Sequence, residues 1–140
     1  MKTTIDQLPQ IAELVLKKLV GGSRPAIIAL HGDLGSGKTT FTQVLARTLG
    51  CVETVVSPTF VILKKYTLSH SLYTTLVHID AYRISSPNDI KNLKLDEEFK
   101  NTKSIIVIEW PEHVSAIIPS DATHLTLSYV NDTERDILGI

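Results

Sequence analysis

Apolar side chains recur at helical spacing in three parts of the chain. The predicted helices run over residues 4–20, 39–49 and, with breaks, 86–99. Thr4 and Gln7 have the spacing of a capping box at the start of the first helix, and Gly21-Gly22 supplies its end. Ser86-Pro87 predicts the start of the third helix, with a serine cap and a proline at the first helical position.

Short apolar runs between these helices predict six strands. They span residues 26–30, 60–66, 72–79, 104–108, 124–130 and 135–140. The runs at 26–30 and 104–108 are apolar apart from Ser104, which is typical of parallel strands buried on both faces. Polar residues at 67–71 and 131–132 predict two antiparallel hairpins. The pattern therefore predicts an α/β fold, with one domain over residues 1–140 and a mixed central β-sheet flanked by helices.

The composition narrows the class of protein. Apolar residues make up 43% of the 140 residues, and 14 Lys and Arg nearly balance 15 Asp and Glu. A protein that binds nucleic acid alone usually carries a basic excess, so we expect any RNA contact to depend on a partner. The single cysteine, Cys51, excludes an intrachain disulfide and is expected to be a packed loop residue. The sequence shows no signal peptide and no membrane-spanning run, which predicts a cytoplasmic location.

One segment carries a specific chemical signature between a predicted strand and a predicted helix. It is Gly32-Asp33-Leu34-Gly35-Ser36-Gly37-Lys38-Thr39, which matches G-x-x-x-x-G-K-[ST] at every fixed position and is followed by Thr40. Glycines let the backbone curl with its amides pointing inward, and the start of the helix adds free N–H groups. Lys38 is expected to reach the β- and γ-phosphates, and the Thr39 hydroxyl to coordinate Mg²⁺.

Two carboxylates are predicted at strand ends, where a magnesium–nucleotide site needs them. Glu109 follows the apolar run 105–108, and Asp80 follows the run 76–79. We expect one of them to hold the metal, directly or through water, and the other to orient the attacking water. Their division of roles stays open. His78, two residues before Asp80, is either a surface or core hydrogen-bonding residue or the residue that orients that carboxylate.

Aromatic and basic residues next to these acids allow more than one interpretation. Trp110 is either a core anchor, a lid over the nucleotide site or a contact for a partner. Tyr82 and Arg83 either pair with phosphate or stabilise the end of a hairpin.

Four blocks of the sequence resemble one known family. They are residues 32–41 (GDLGSGKTTF), 57–60 (SPTF), 78–83 (HIDAYR) and 108–112 (IEWPE). In order and spacing they resemble the TsaE/YjeE ATPases of bacterial tRNA threonylcarbamoyladenosine biosynthesis, over nearly the whole chain. The resemblance implies a P-loop fold, ATP and Mg²⁺ as cofactors, and slow hydrolysis that depends on partners. It also implies an accessory subunit that docks on a two-protein threonylcarbamoyl-transfer complex, with hydrolysis supporting repeated turnover.

The resemblance implies roles for individual residues as well. Those at the nucleotide and metal are Lys38, Thr39, Asp80 and Glu109. Trp110 would lie at the functional surface, and the Ser57-Pro58-Thr59 loop would act as a switch near the γ-phosphate. Relatives often carry a basic residue in the last hairpin near the nucleotide, and Arg135 is the nearest candidate here.

Three other functions compete with this interpretation. A small-molecule kinase usually has several arginines and a closing lid, whereas this chain has four arginines and no arginine-rich insertion. A GTPase would need an N-K-x-D segment, which is absent. A switch in which nucleotide occupancy controls docking and hydrolysis is incidental would use the same residues as an ATPase.

Overall fold

The structure is a computed structural model, and it describes residues 1–19, 24–58 and 62–140. The strands in chain order are β1 Lys2–Thr4, β2 Ala26–His31, β3 Leu63–Thr67, β4 Thr75–Asp80, β5 Ser104–Glu109, β6 Thr123–Tyr129 and β7 Glu134–Leu138. The α-helices are α1 Leu8–Lys18, α2 Lys38–Thr48 and α3 Pro87–Asn92, and the 3₁₀ helices are Ile5–Gln7, Glu98–Lys100 and Pro111–Ile117.

All seven strands form one sheet in the order β1-β7-β6-β2-β5-β4-β3. The inner strands β6, β2, β5 and β4 run parallel to one another, and β1, β7 and β3 pair antiparallel at the two edges. The predicted mixed α/β sheet and both predicted hairpins are confirmed. Because β2, β4 and β5 are parallel, their carboxyl ends lie at the same end of the sheet, and the functional loops follow these carboxyl ends.

The two faces of the sheet carry separate cores. The α2 face, covered by α1 and α2, holds alternate strand residues such as Leu30, Leu76 and Val107. The opposite face, here called the α3 face, is covered by α3 and the segments around it and holds Ile79 and Ile108. All of β5 is buried, which explains why its residues 105–108 are apolar instead of alternating with polar residues.

The N-terminal prediction misses a short strand and places the start of the α-helix too early, since residues 5–7 form a 3₁₀ helix. Residues 2–4 form β1, which pairs with β7, and α1 begins only at Leu8. A three-residue edge strand is too short to show a period of two, and its pairing is decided by a segment more than 100 residues away. The polar contact predicted for Gln7 exists, since its Oε1 accepts from the Thr4 backbone N–H at 3.0 Å. The predicted stop at Gly21-Gly22 lies outside the described residues.

Other helices and strands are of the predicted type but begin or end at different residues. The part of the predicted strand 60–66 that is described forms β3, and β4 begins at Thr75, three residues later than predicted. Ser86 caps α3 by accepting from the Asp89 backbone N–H at 3.3 Å. Cys51 is buried, as expected of a packed loop residue. None of the helices within the described residues has the length and apolar character that crossing a bilayer requires.

Candidate functional site

The loop between β2 and α2 is held in a tight curl by its glycines. Gly32 has a φ of +147°, and a Cβ there would lie 2.4 Å from the Leu127 carbonyl oxygen. Gly37 caps α2 with a φ of +100°, a left-handed conformation that favours glycine. The Ser36 backbone N–H donates to the Asp33 carbonyl at 3.1 Å and closes a turn. The first turn of α2 therefore offers unpaired backbone N–H groups to an anion.

Lys38 lies across the mouth of this loop. Its Nζ donates to the carbonyl oxygens of Gly32 at 2.6 Å and Asp33 at 3.0 Å, and lies 4.5 Å from the centroid of the Trp110 ring. Burial lowers the pKa of Lys38, and the nearby carboxylates of Glu109 and Asp80 oppose that shift. The ammonium is thus already desolvated and aimed at the phosphate loop, where it can bind an anion strongly.

The two predicted carboxylates meet at the edge of the sheet. Asp80 and Glu109 are register partners at the ends of β4 and β5, and both are buried. Thr39, in the first turn of α2, lies with its Oγ1 3.2 Å from Glu109 Oε1 and 3.4 Å from Oε2. Asp80 accepts from the Tyr82 backbone N–H at 3.0 Å and from the Ser57 hydroxyl at 3.5 Å.

The expected partner of His78 is wrong. Its Nε2 lies 2.6 Å from Glu109 Oε2, whereas the prediction paired it with Asp80. Side chains two residues apart on a strand project in parallel from the same face and do not point at each other. His78 therefore contacts Glu109 on the neighbouring strand and not Asp80. The register of β4 against β5 places His78 opposite Val107, two residues before Glu109. That register, which single-strand patterns do not contain, is the signal that would have found the contact.

An open cavity of about 350 Å³ brings most of the predicted residues together. Its lining consists of Leu34, Gly35, Gly37, Lys38, Thr39, Thr40, Ser57, Asp80, Tyr82, Glu109, Trp110 and Arg135. Gly32, Asp33 and Ser36 shape the loop without lining the cavity. Pro58 is buried beside Ser57, Arg83 is exposed away from the lining, and Thr59 lies outside the described residues.

Arg135 brings the C-terminal hairpin to the loop. Its Nε donates to the Ser36 carbonyl at 3.0 Å, and one Nη donates to the Asn131 carbonyl at 2.6 Å. The guanidinium carbon lies 4.8 Å from the centroid of the Tyr129 ring, a contact that the sequence interpretation missed. Because Tyr129 and Arg135 are register partners in β6 and β7, knowledge of the hairpin register would have predicted it.

Trp110 combines two of its predicted positions. It packs partly against the core of the α3 face, and it lines the cavity next to Lys38. Its backbone has a φ of +57°, an uncommon left-handed conformation for a tryptophan, directly before the 3₁₀ helix Pro111–Ile117. The Tyr82 ring lies 5.1 Å from it, centroid to centroid, so two aromatic side chains form one wall of the cavity.

The donor set at this edge fits magnesium held together with a nucleotide. A hydroxyl and two carboxylates are hard oxygen ligands of the kind that Mg²⁺ prefers. Across residues 1–19, 24–58 and 62–140, no group of three or more His, Cys, Asp or Glu side chains is arranged to hold a metal by itself. Phosphate and water oxygens would have to complete the coordination, as is usual for Mg²⁺ in nucleotide sites.

Comparison with known proteins settles the family. The sequence profile described as "Threonylcarbamoyl adenosine biosynthesis protein TsaE" matches residues 3–137. The chain belongs to the TsaE family. Curated TsaE proteins from Bacillus subtilis and Nostoc sp. are 32% and 35% identical, covering 92% and 94% of this chain and 78% and 85% of their own lengths. The TsaE protein of Streptomyces coelicolor is 38% identical over 79% of this chain and 74% of its own length.

A solved structure gives the same result for the fold of this TsaE family member. The crystal structure of Bacillus subtilis YdiB superposes with a TM-score of 0.71 at 29% identity, covering 98% of this chain and 80% of that one. The predicted P-loop nucleotide-binding fold and the predicted family are therefore confirmed. Membership of the TsaE family assigns the chain to tRNA threonylcarbamoyladenosine biosynthesis. The extent of the domain, the roles of the site residues and the cytoplasmic location stay predictions.

Proposed function

We propose that this protein is a Mg²⁺-dependent ATPase that serves as an accessory subunit of the tRNA threonylcarbamoyladenosine machinery. The observation that carries the proposal is the convergence of Lys38, Thr39, Asp80 and Glu109 on one cavity at the β2–α2 loop. A phosphate cradle, a hydroxyl and two carboxylates together are the parts that nucleoside triphosphate hydrolysis requires.

Each of these residues has a distinct task in the proposed reaction. Lys38 exchanges the carbonyl oxygens of Gly32 and Asp33 for the oxygens of the β- and γ-phosphates. Thr39 and one carboxylate would hold the metal, which would neutralise phosphate charge and polarise the γ-phosphate. The other carboxylate accepts a hydrogen bond from the attacking water and orients it. Arg135 braces the loop through the Ser36 carbonyl and is available beside the nucleotide.

The proposed partner is the two-protein complex that transfers the threonylcarbamoyl group. Family membership supports this assignment, and so does the exposed rim of the cavity, which includes Leu34, Ser57 and Tyr82. Exposed apolar and aromatic side chains at the mouth of a nucleotide site are well placed for a docking contact that senses occupancy. The net charge of −1 supports tRNA contact through the partner instead of through this chain.

Glu109→Gln tests whether hydrolysis is required. The amide keeps the shape of the side chain but lacks the negative charge, so we expect ATP affinity within about threefold and hydrolysis lower by about 100-fold or more. Both are measured on the purified protein, by calorimetry and by phosphate release with the transfer complex present. Glu13→Gln, an exposed change on α1, is the matched control and should behave as the unmodified protein.

A multiple-turnover modification assay separates the proposal from its competitors. With the transfer complex and tRNA, Glu109→Gln should support about one round of modification and then stall. Sustained modification by this variant would favour a switch controlled by nucleotide occupancy. ADP release that depends on an added small-molecule acceptor would favour a kinase, and tighter binding of GTP than of ATP would contradict the nucleotide assignment.

A further inference from the structure

His78 is a fully buried polar side chain next to the candidate site, and the function proposed above does not use it. Its side chain is fully buried in β4, and it does not line the cavity. Among the residues that the structure describes, its ring is hydrogen-bonded to the site through Glu109, whose Oε2 lies 2.6 Å from Nε2. Burying a polar ring is costly unless it makes a hydrogen bond, so this contact accounts for a histidine at a position where the neighbouring strand residues are apolar.

The second ring nitrogen shows which atom carries the proton. Nδ1 is buried and has no hydrogen-bond partner within the described parts of the chain. A buried N–H without an acceptor is costly, whereas a bare ring nitrogen has no donor to satisfy. The proton therefore belongs on Nε2, and the hydrogen bond runs from the His78 N–H to the Glu109 carboxylate.

This hydrogen bond engages one oxygen of the Glu109 carboxylate and leaves the other oxygen available to the groups in the site. Oε2 accepts from His78 on β4, and Oε1 is the oxygen nearer the Thr39 hydroxyl, at 3.2 Å against 3.4 Å. Glu109 is thus held between a neighbouring strand and the first turn of α2. The terminal torsion of a glutamate is soft, so without a fixed partner its carboxylate plane would rotate.

We propose that His78 is a positioning residue for the ATPase reaction, fixing the Glu109 carboxylate so that Oε1 stays directed at Thr39 and its metal or water. The inference rests on the function proposed above and adds to it. His78 touches neither nucleotide nor metal in this assignment. Its contribution is to orient Glu109, which does. Residues that hydrogen-bond to the ligands of a metal commonly have this role.

Two substitutions separate positioning from packing. His78→Leu removes the donor and keeps the volume, and we expect kcat for ATP hydrolysis to fall by about 10- to 100-fold with KM for ATP within about threefold. His78→Gln keeps an amide N–H near the position of Nε2 and should recover at least a tenth of the unmodified kcat. Should the leucine variant fail to fold, as judged by circular dichroism, His78→Asn replaces it, because that amide is too short to reach Glu109.

Nitrogen NMR of the ring gives a measurement that does not depend on activity. In the unmodified protein the His78 ring should carry its proton on Nε2, with a downfield, slowly exchanging Hε2 signal that is lost in Glu109→Ala. A proton on Nδ1 alone would overturn the assignment. Equal losses of kcat in the leucine and glutamine variants, or no loss in the leucine variant, would also overturn it. Absence of ATP hydrolysis by the unmodified protein would instead contradict the proposed function, and the ring signal would still show whether His78 holds Glu109.

Discussion

The two faces of strands β4 and β5 differ sharply, although they are made by the same stretches of chain. On the α2 face, β4 presents His78 and Asp80 and β5 presents Glu109, all of them buried. On the α3 face the same strands present apolar side chains such as Ile79 and Ile108. Towards the ends of β4 and β5, a period of two residues therefore separates the polar side chains of the site from apolar side chains of the core. Substitutions one residue apart should consequently have different kinds of effect.

The polar face also carries a cost that the apolar face does not. A buried carboxylate needs partners, and Asp80 and Glu109 obtain them from Tyr82, Ser57, His78 and Thr39. Apart from His78 on β4, these partners come from the loops and from the first turn of α2, so the arrangement also depends on elements outside the sheet. The apolar face needs only close packing. Substitutions on the two faces should therefore change different measured quantities.

Truncation on the α3 face should reduce stability without affecting ATP. Ile108→Ala removes a fully buried side chain and should lower the free energy of unfolding by about 2–5 kcal/mol. The affinity of the folded protein for ATP should change by less than about twofold, because the side chain points away from the cavity. Urea denaturation and calorimetry measure the two quantities. A loss of ATP affinity in the folded variant would show that the faces are coupled.

Removal of the Lys38 ammonium should weaken ATP binding with little effect on stability. Lys38→Ala is expected to weaken Mg-ATP binding by about 100-fold, equivalent to roughly 2.7 kcal/mol, through loss of charge-assisted hydrogen bonds to phosphate. Calorimetry measures the affinity, and the urea midpoint should move little, since helix and strand packing is untouched. Lys17→Ala, an exposed change on α1, is the control. Unchanged affinity in Lys38→Ala would contradict the site.

Loss of the Thr39 hydroxyl should affect only the metal-dependent part of ATP binding. Thr39→Ala is expected to reduce the advantage that Mg²⁺ gives to ATP affinity by about tenfold, the effect of roughly 1.4 kcal/mol. Titrations with Mg²⁺ and with a chelator in its place measure that advantage. Thr39→Ser keeps the hydroxyl and should retain most of it, so equal losses in the two variants would argue against metal coordination by this oxygen.

The smallest effect concerns a polar side chain on the α3 face. His31 is the last residue of β2 on this face, and its Nε2 lies 2.8 Å from His124 Nδ1. Burial is the larger cause that lowers the pKa of His31, and the nearby His124 lowers it further, whereas Glu112 raises it. The folded protein therefore binds fewer protons than the unfolded chain just below pH 6.5, and stability falls as pH drops through that range. In His31→Gln the urea midpoint should fall less between pH 7.5 and pH 5. An identical decrease would exclude His31 as a source.

The phosphate loop could be predicted from sequence because its determinants are local. Its glycine spacing, the apolar run before it and the helix after it all lie within 25 residues. Asp80 and Glu109 were likewise predictable, since a carboxylate directly after a buried strand must lie at the edge of the sheet. That the two are register partners follows from β4 and β5 being neighbours, which the topology decides.

Contacts between distant segments could not be predicted in this way. The His78–Glu109 hydrogen bond needs the register of two strands, and β1 needs its partner β7. The resemblance pointed to Arg135, but only the fold shows that it binds the Ser36 carbonyl, 99 residues away. In each case the contact joins segments that are far apart in the sequence, and no window of neighbouring residues contains both of them.

The central position of β2 has a consequence for how the protein is made. Its two neighbours, β5 and β6, begin at residues 104 and 123, and the carbonyl of Leu127 and the side chain of Arg135 contact the loop that follows β2. A nascent chain therefore exposes its phosphate loop long before the ribosome has delivered the strands that support it. Such non-local assembly is slow. A translation product that lacks β6 and β7 also lacks the contacts that shape the phosphate loop. We therefore expect nucleotide binding only after these strands have been synthesised.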